Sequence, residues 1–71
     1  MARAERQKRE KETVRLEAEI EAREVELRTV EAALADPAVY ADGPRSRDLV
    51  KRYEVLKAEL ESLWQKLGEL A

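Results

Sequence analysis

The sequence contains no cysteine, no histidine and no phenylalanine, and aromatic residues make up 4% of its 71 positions. Without cysteine there is no disulfide framework, and without cysteine or histidine the common zinc sites are excluded. No glycine-rich phosphate loop occurs, since the chain has two glycines in all. No apolar run has the length of a membrane span, and no signal-peptide pattern opens the sequence. These absences predict a non-catalytic, cytoplasmic chain that holds no cofactor.

Charged residues are abundant, at 42%, and they are segregated along the chain. Residues 1–15 carry six Lys/Arg against three Glu, residues 16–36 carry two against seven acidic residues, and residues 37–57 carry five against three. Glutamates recur every seven positions from Glu17 to Glu31, as on the solvated flank of a coiled coil, so we assign them no acid–base role. The alternation of charge points to partners, while the Ala, Glu, Leu, Arg and Lys content is typical of long helices.

Two sets of apolar residues follow the 4-3 spacing of a coiled-coil seam, the stripe through which packed helices contact each other. Arg23 occupies one position of the first seam, and the seam fades toward the N-terminus, where Thr13, Arg9 and Arg6 take its positions. Residues 1–12 are therefore expected either to extend as solvated helix or to fray. The seams consist of Leu16, Ile20, Leu27, Val30 and Leu34, and of Leu49, Tyr53, Leu56, Leu60, Leu63, Leu67 and Leu70.

Pro37, Gly43 and Pro44 lie between the two seams and interrupt the helical pattern. Asp36 before Pro37 is typical of a helix start, with an aspartate cap and a proline at the first helical position. Pairing residues whose numbers sum to 83 joins each position of one seam to a matching position of the other. An antiparallel pair of helices requires such a match.

The sequence thus predicts an all-α fold, an antiparallel two-helix coiled-coil hairpin with a short capped corner. The hairpin domain is expected over residues 16–71, with its corner at about 36–48, and residues 1–15 are a basic N-terminal extension of the first helix, here called the arm. The charged residues that flank the seams do not select this pairing strongly, since Glu24–Lys57 and Glu19–Lys66 attract whereas Glu26–Glu59 repels. So small a hairpin is expected to be marginally stable alone, and it either belongs to a larger protein or associates weakly with itself.

Three side chains near the seam carry separate expectations. Arg23 is expected to lay its stem along the seam and to reach Glu19 one turn earlier. Tyr40, together with Val39, is expected to close the open end of the seam. Trp64 is expected to lie on a flank of the seam and to broaden it. If Trp64 is exposed instead, it becomes a docking point for another part of a parent protein.

Arg45, Arg47, Lys51 and Arg52 form a basic group at the corner and in the first turns of the second helix. One interpretation is ordinary solvated charge that balances the nearby aspartates. The other is a phosphate-binding tip, because clustered Lys and Arg give affinity for nucleic acid of any sequence. The pattern assigns these four residues no structural role, so we place the candidate binding site there.

A second basic group occupies the arm, at the opposite end of the predicted hairpin. Glutamates interspersed in it weaken its positive charge, and pairs such as Glu5–Arg9 could support the helix instead. We retain it as an auxiliary phosphate-binding candidate. Its members are Arg3, Arg6, Lys8, Arg9, Lys11 and Arg15.

The chain resembles the C-terminal coiled-coil domain of Uup-type ABC-F proteins over about residues 16–71. The resemblance rests on "LEAEIEAREVELRTVEAALADPAVYAD" leading through "LKAELESLWQKLGELA". Residues 34–40, "LADPAVY", match the corner Leu-x-Asp-Pro-x-x-Tyr of that family. Trp64 stands where the family commonly has tyrosine. Two positions differ: the usual tryptophan falls at Leu67, and Gly43 stands where an aspartate usually precedes the proline.

The resemblance implies a soluble tandem ATPase without membrane spans that acts on ribosomes or nucleic acid, with its ATP-binding cassettes outside these 71 residues. In the Uup-like branch it implies a C-terminal hairpin that binds DNA. Our leading hypothesis is therefore a non-catalytic DNA-binding coiled-coil domain of an ABC-F ATPase, with weak, salt-sensitive binding. Two alternatives stay open: a structural coiled coil for dimerisation or protein docking, and an arm that contacts ribosomal RNA or tRNA.

Overall fold

The computed structural model describes the backbone of residues 2–70 and the side chains of residues 4–70. Helix α1 is Ala2–Leu34, the short helix α2 is Pro37–Tyr40, and helix α3 is Gly43–Leu70. The two long helices pack against each other, and α2 contacts both. This part of the chain contains no strand and forms a rod 58 Å long and 15 by 13 Å across. The predicted all-α helical hairpin is confirmed.

The N-terminal part of α1 is a solvated helix, because α1 begins at Ala2 and residues 4–10 are all exposed. Of the two alternatives left open for this segment, the extended helix is the observed one. Good helix formers dominate its sequence, and charged residues hold the seam positions, so local helix propensity rather than packing supports it. No helix within residues 2–70 is long and apolar enough to cross a membrane.

The core lies in the interface between α1 and α3. Leu56 is fully buried there, at 0% exposure. A cluster of buried side chains joins the two helices farther from the corner, and three partly buried leucines pack against it. This cluster agrees with the predicted register, which pairs Ile20 with Leu63 and Leu16 with Leu67. Its members are Leu16, Ile20, Leu60 and Leu63, with Leu27, Leu67 and Leu70 packed around them.

The connection between the long helices is shorter than the predicted corner. Helix α3 begins at Gly43, so the connection comprises residues 35–42 rather than 36–48. Pro44 does not delay the helix start, because a proline in the first turn lacks only an N–H group that would have no helical partner there. The basic residues that follow are therefore helical from the outset.

An aspartate caps each of the two helix starts in this connection. Asp36 Oδ1 accepts a hydrogen bond from the backbone N–H of Ala38 at 2.9 Å, as the sequence predicts. Asp42 Oδ1 accepts one from the backbone N–H of Arg45 at 3.2 Å, a role that was not predicted. A cap of this kind contributes about 0.5–2 kcal/mol to stability. Two caps therefore stabilise the connection in which the chain reverses.

The expectation that Tyr40 closes the end of the seam is wrong. Val39 does so, since it is 6% exposed, whereas Tyr40 is 75% exposed. Neighbouring residues of a helix point about 100° apart, so a helix that buries the first of the pair turns the second to solvent. The connection thus presents an aromatic ring at the tip of the hairpin.

Candidate nucleic-acid interface

Arg52, one of the four basic residues predicted at the tip, is bound to α1. Its guanidinium hydrogen-bonds to the carboxylate of Glu26 and lies 4.0 Å from that of Glu59. The hydrogen bond to Glu26 raises the pKa of Arg52 above its ordinary value, and the charges of both carboxylates add to this effect. The expectation that Arg52 has no structural role is therefore wrong.

Arg23 completes a chain of alternating charges across the interface. Its Nε donates to Glu59 Oε2 at 2.9 Å, and its Nη1 donates to the backbone carbonyl of Glu19 at 3.4 Å. Arg23 therefore reaches Glu19, as expected, through the backbone carbonyl, and its side-chain partner is Glu59 on α3. The two glutamates expected to repel, Glu26 and Glu59, are bridged by arginine, because a long side chain reaches diagonally between the helices.

The three remaining basic residues of the tip, Arg45, Arg47 and Lys51, are exposed. Within residues 4–70, none of them forms an ion pair with a carboxylate. Arg47 bends back over the start of α3, since its Nη1 lies 3.6 Å from the place that a Cβ atom on residue 43 would take. We call these three residues and the exposed Tyr40 the tip surface.

Three aspartates share this end of the hairpin. Asp36 and Asp42 are turned toward the backbone N–H groups that they cap. Asp48 is exposed on the first turns of α3. The total charge of the tip is therefore near zero, and its ability to contact phosphate depends on reach. Lys and Arg extend several bonds farther from the backbone than Asp does, so their cationic groups can reach farther toward a phosphate.

The arm is helical and mixed in charge. Arg3 lies outside the residues whose side chains are described. A groove of about 720 Å³ runs between the arm and the end of α3, where Leu70 and Val14 supply apolar surface and Glu5 and Glu10 supply carboxylates. The arm residues that are exposed are Arg6, Lys8, Arg9, Lys11 and Arg15.

The tip surface and the arm lie at opposite ends of a rod 58 Å long. A DNA duplex rises about 3.4 Å per base pair, so a duplex that spans the whole rod has about 17 base pairs. The structure thus brings the tip residues together and keeps them apart from the arm. Any joint action of the two depends on the length of the ligand.

A third surface surrounds Trp64, whose side chain is 52% exposed on the flank of α3. It does not merely broaden the seam, because it stands in an open groove of about 240 Å³ with a largely acidic rim. No group of three or more acidic side chains in the described part of the chain could hold a metal ion. The groove, here called the tryptophan groove, is lined by Glu17, Ile20, Glu21, Glu24, Arg28 and Trp64.

Comparison with known protein families identifies the domain. The model of the ABC transporter C-terminal domain matches residues 4–71. The chain belongs to that family. The ABC transporter C-terminal domain is a non-catalytic region of ABC proteins. Comparisons with curated proteins and with solved structures gave no match.

The family match begins at residue 4, so this ABC transporter C-terminal domain includes most of the arm as well as the hairpin proper. Two features of its tip escaped prediction. Asp42 precedes Gly43 as Asp36 precedes Pro37, and that parallel was the signal that a second capped start lay there. The outward orientation of Tyr40 had no signal in the sequence, because α2 is too short to show a period.

Proposed function

We propose that this domain is a non-catalytic DNA-binding hairpin of a Uup-like ABC-F ATPase in the cytoplasm. The observation that supports it is the tip surface, where Arg45, Arg47 and Lys51 are exposed at one end of the rod. Ion pairing within residues 4–70 engages Arg52 but none of these three. Exposed, unpaired cations bind backbone phosphates with little dependence on sequence, and each phosphate contact releases counterions.

The arm contributes a second, weaker contact in this proposal. Its exposed Lys and Arg side chains alternate with glutamates, which lowers the local positive potential. Because the two ends lie on a rod 58 Å long, the arm adds affinity only on duplexes long enough to lie along the hairpin. Short duplexes bind through one end alone.

The decisive experiment compares two charge reversals with the same change in net charge. One variant replaces Arg45, Arg47 and Lys51 by Glu at the tip. The matched control replaces three exposed basic residues of the hairpin body, Arg28, Lys57 and Lys66, by Glu. Binding of labelled duplex is measured by fluorescence anisotropy over a series of salt concentrations, with helicity checked by circular dichroism.

We expect the tip variant to lose at least about tenfold in affinity at low salt and the control to lose much less. The wild-type slope of log K against log salt should be near −3, because three phosphate contacts each contribute about −0.9. Equal losses in both variants would attribute binding to net charge alone and refute the tip assignment. Stronger binding to ribosomal RNA or tRNA than to duplex DNA would assign the tip to RNA.

The exposure of Trp64 favours a second candidate function, docking on a protein. A half-exposed tryptophan in a groove is a common anchor for a partner, and the acidic rim suits a basic segment, for instance on the ATPase cassettes of a parent protein. Under this alternative, replacing Trp64 by Ala abolishes association with the partner and leaves DNA affinity unchanged.

The assignment to the Uup-like ABC-F subfamily can be tested separately. A Uup-like ABC-F protein carries two ATP-binding cassettes in the same polypeptide, so the coding sequence ahead of this domain should encode both. A single cassette followed by membrane-spanning segments would contradict the ABC-F assignment and leave the membership in the ABC transporter C-terminal domain family intact.

A further inference from the structure

The tip of the hairpin exposes an aromatic ring that the packing of the chain leaves unused. Tyr40 is 75% exposed, the most exposed large hydrophobic side chain among the described residues. Its neighbour Val39 already closes the core at 6% exposure, so Tyr40 is not needed there. The cap at Asp36 and Pro37 start α2, and the burial of Val39 turns Tyr40 outward.

A cationic side chain reaches the same part of the tip. Tyr40 ends α2 and Gly43 begins α3, so their Cα atoms lie within about 11 Å of each other, given ~3.8 Å between consecutive Cα atoms. Arg47 folds back to Gly43, with Nη1 3.6 Å from the place of a Cβ atom there. The guanidinium is therefore carried toward the connection that holds Tyr40. The tip combines a flat ring with donors for phosphate.

We propose that Tyr40 stacks on an unpaired base while Arg45, Arg47 and Lys51 hold the flanking phosphates, so that the tip surface prefers unpaired nucleotides to intact duplex. This inference rests on the proposed function, because it assigns a ligand to the same surface. An aromatic ring gains from a base only where the base face is free. In a duplex the faces are already stacked on neighbouring bases, whereas phosphates are available in both forms.

Both the ring and the cations of the tip surface suit an unpaired nucleotide. A base stacked on tyrosine gains about five- to a hundredfold in affinity, with little dependence on which base it is. Lys and Arg beside the ring pair with the backbone of a single strand as they do with a duplex. The protein supplies the ring on one short helix and the cations on the first turns of the next, across a connection that two aspartate caps stabilise.

The test combines a change in the protein with a change in the ligand. Wild type, Tyr40→Ala and Tyr40→Phe are titrated against three probes: a single DNA strand of about 12 nucleotides, its blunt duplex, and the same strand with abasic sites that keep the phosphates. Trp64→Ala serves as the matched control, since it removes an exposed aromatic ring far from the tip. Circular dichroism confirms that each variant keeps its helicity.

We expect Tyr40→Ala to lose about five- to tenfold on the single strand and less than about twofold on the duplex and the abasic strand. Tyr40→Phe and Trp64→Ala should bind as wild type does. An equal loss on all three probes, or no loss on the single strand, would overturn the stacking role of Tyr40. An RNA strand of the same sequence tests whether binding depends on the sugar. A loss of affinity for Tyr40→Ala that is seen on RNA alone would overturn the assignment to DNA.

A failure of base stacking can be distinguished from a failure of the proposed function. If the Glu variant of Arg45, Arg47 and Lys51 loses affinity for every probe while Tyr40→Ala loses none, DNA binding stands and base stacking fails. If that charge variant binds as tightly as wild type, the tip is not the interface, and both proposals fail together.

Discussion

The two ends of the hairpin carry similar basic residues, but the helices that bear them are packed differently. At the tip, two capped helix starts and the buried Val39 close the core. At the open end, the arm runs as exposed helix, and Val14 is 68% exposed beside the end of α3. The basic residues of the tip therefore stand on backbone that caps and a buried side chain hold in place, whereas those of the arm stand on exposed helix. Three pairs of matched variants and one comparison of two duplex lengths test this difference.

The largest effect should come from the same substitution at the two ends. Val39→Asp buries an unpaired carboxylate and should lower the stability by at least about 2 kcal/mol, or roughly 10 °C in Tm. Val14→Asp, at an exposed position, should change stability by less than about 0.5 kcal/mol. Thermal and urea denaturation followed by circular dichroism measure both. Equal losses at the two ends would show that the tip is no better packed than the arm.

The caps should give the next largest effect. Asp42→Ala removes the hydrogen bond to the N–H of Arg45 and should cost about 1 kcal/mol. Its counterpart at the open end is Thr13→Ala, which removes a hydrogen bond from the hydroxyl to the carbonyl of Arg9. That carbonyl also belongs to the helix, so the change should be close to neutral. Urea unfolding of both variants provides the comparison, and a neutral Asp42→Ala would remove the cap from the explanation of the tip.

A smaller effect should distinguish two arginines that lie one heptad apart. Arg52→Gln breaks the ion pairs with Glu26 and Glu59, so it should lower Tm by less than the cap variant does. Arg45→Gln breaks no ion pair of residues 4–70 and should leave Tm unchanged while weakening DNA binding. The loss for Arg52→Gln should shrink at about 1 M salt, where charges are screened within ~3 Å. If Arg45→Gln lowered Tm and Arg52→Gln weakened only DNA binding, the structural role would belong to Arg45 and the binding role to Arg52.

The smallest effect should appear in the arm. Replacing Arg6, Lys8 and Arg9 by Gln should reduce affinity by only about two- to threefold on a duplex of roughly 20 base pairs, and not at all on one of about 10. The hairpin should melt at the same temperature as wild type, because these side chains are exposed. Anisotropy titrations with both duplexes make the measurement. A loss that does not depend on duplex length would contradict the prediction that the arm adds affinity only on duplexes long enough to lie along the rod.

The sequence predicts the interior of this fold better than its edges. The 4-3 spacing identified the buried side chains at Leu16, Ile20, Leu60 and Leu63, since burial on a long helix repeats with a period that many residues report together. Tyr40 lies on a helix of four residues, where no period can be read. Its direction depends on how α2 packs against the long helices, which is a tertiary contact.

The charged residues escaped prediction for a different reason. The register shows Glu26 and Glu59 as flanking residues that repel each other, and it does not show that Arg52 reaches diagonally to both carboxylates. The cap at Asp42 is missed although Asp42 precedes Gly43 and Pro44 much as Asp36 precedes Pro37, because the pattern alone does not show that its carboxylate accepts from a backbone N–H. The basic tip is predicted as a group, and all four side chains are exposed, but within residues 4–70 only Arg52 forms ion pairs, which join α3 to α1.

The capped connection also gives the hairpin an order of assembly. Val30 and Tyr53 are separated by far fewer residues than Leu16 and Leu67, so closing the layers beside the connection costs less chain entropy. Pairing can start at the tip and proceed along the rod, each layer shortening the loop that the next must close. A chain that assembles through neighbouring contacts in this way folds faster than a chain of similar stability whose contacts are distant in sequence. Its last layer to form, beside Leu70, is the first to open.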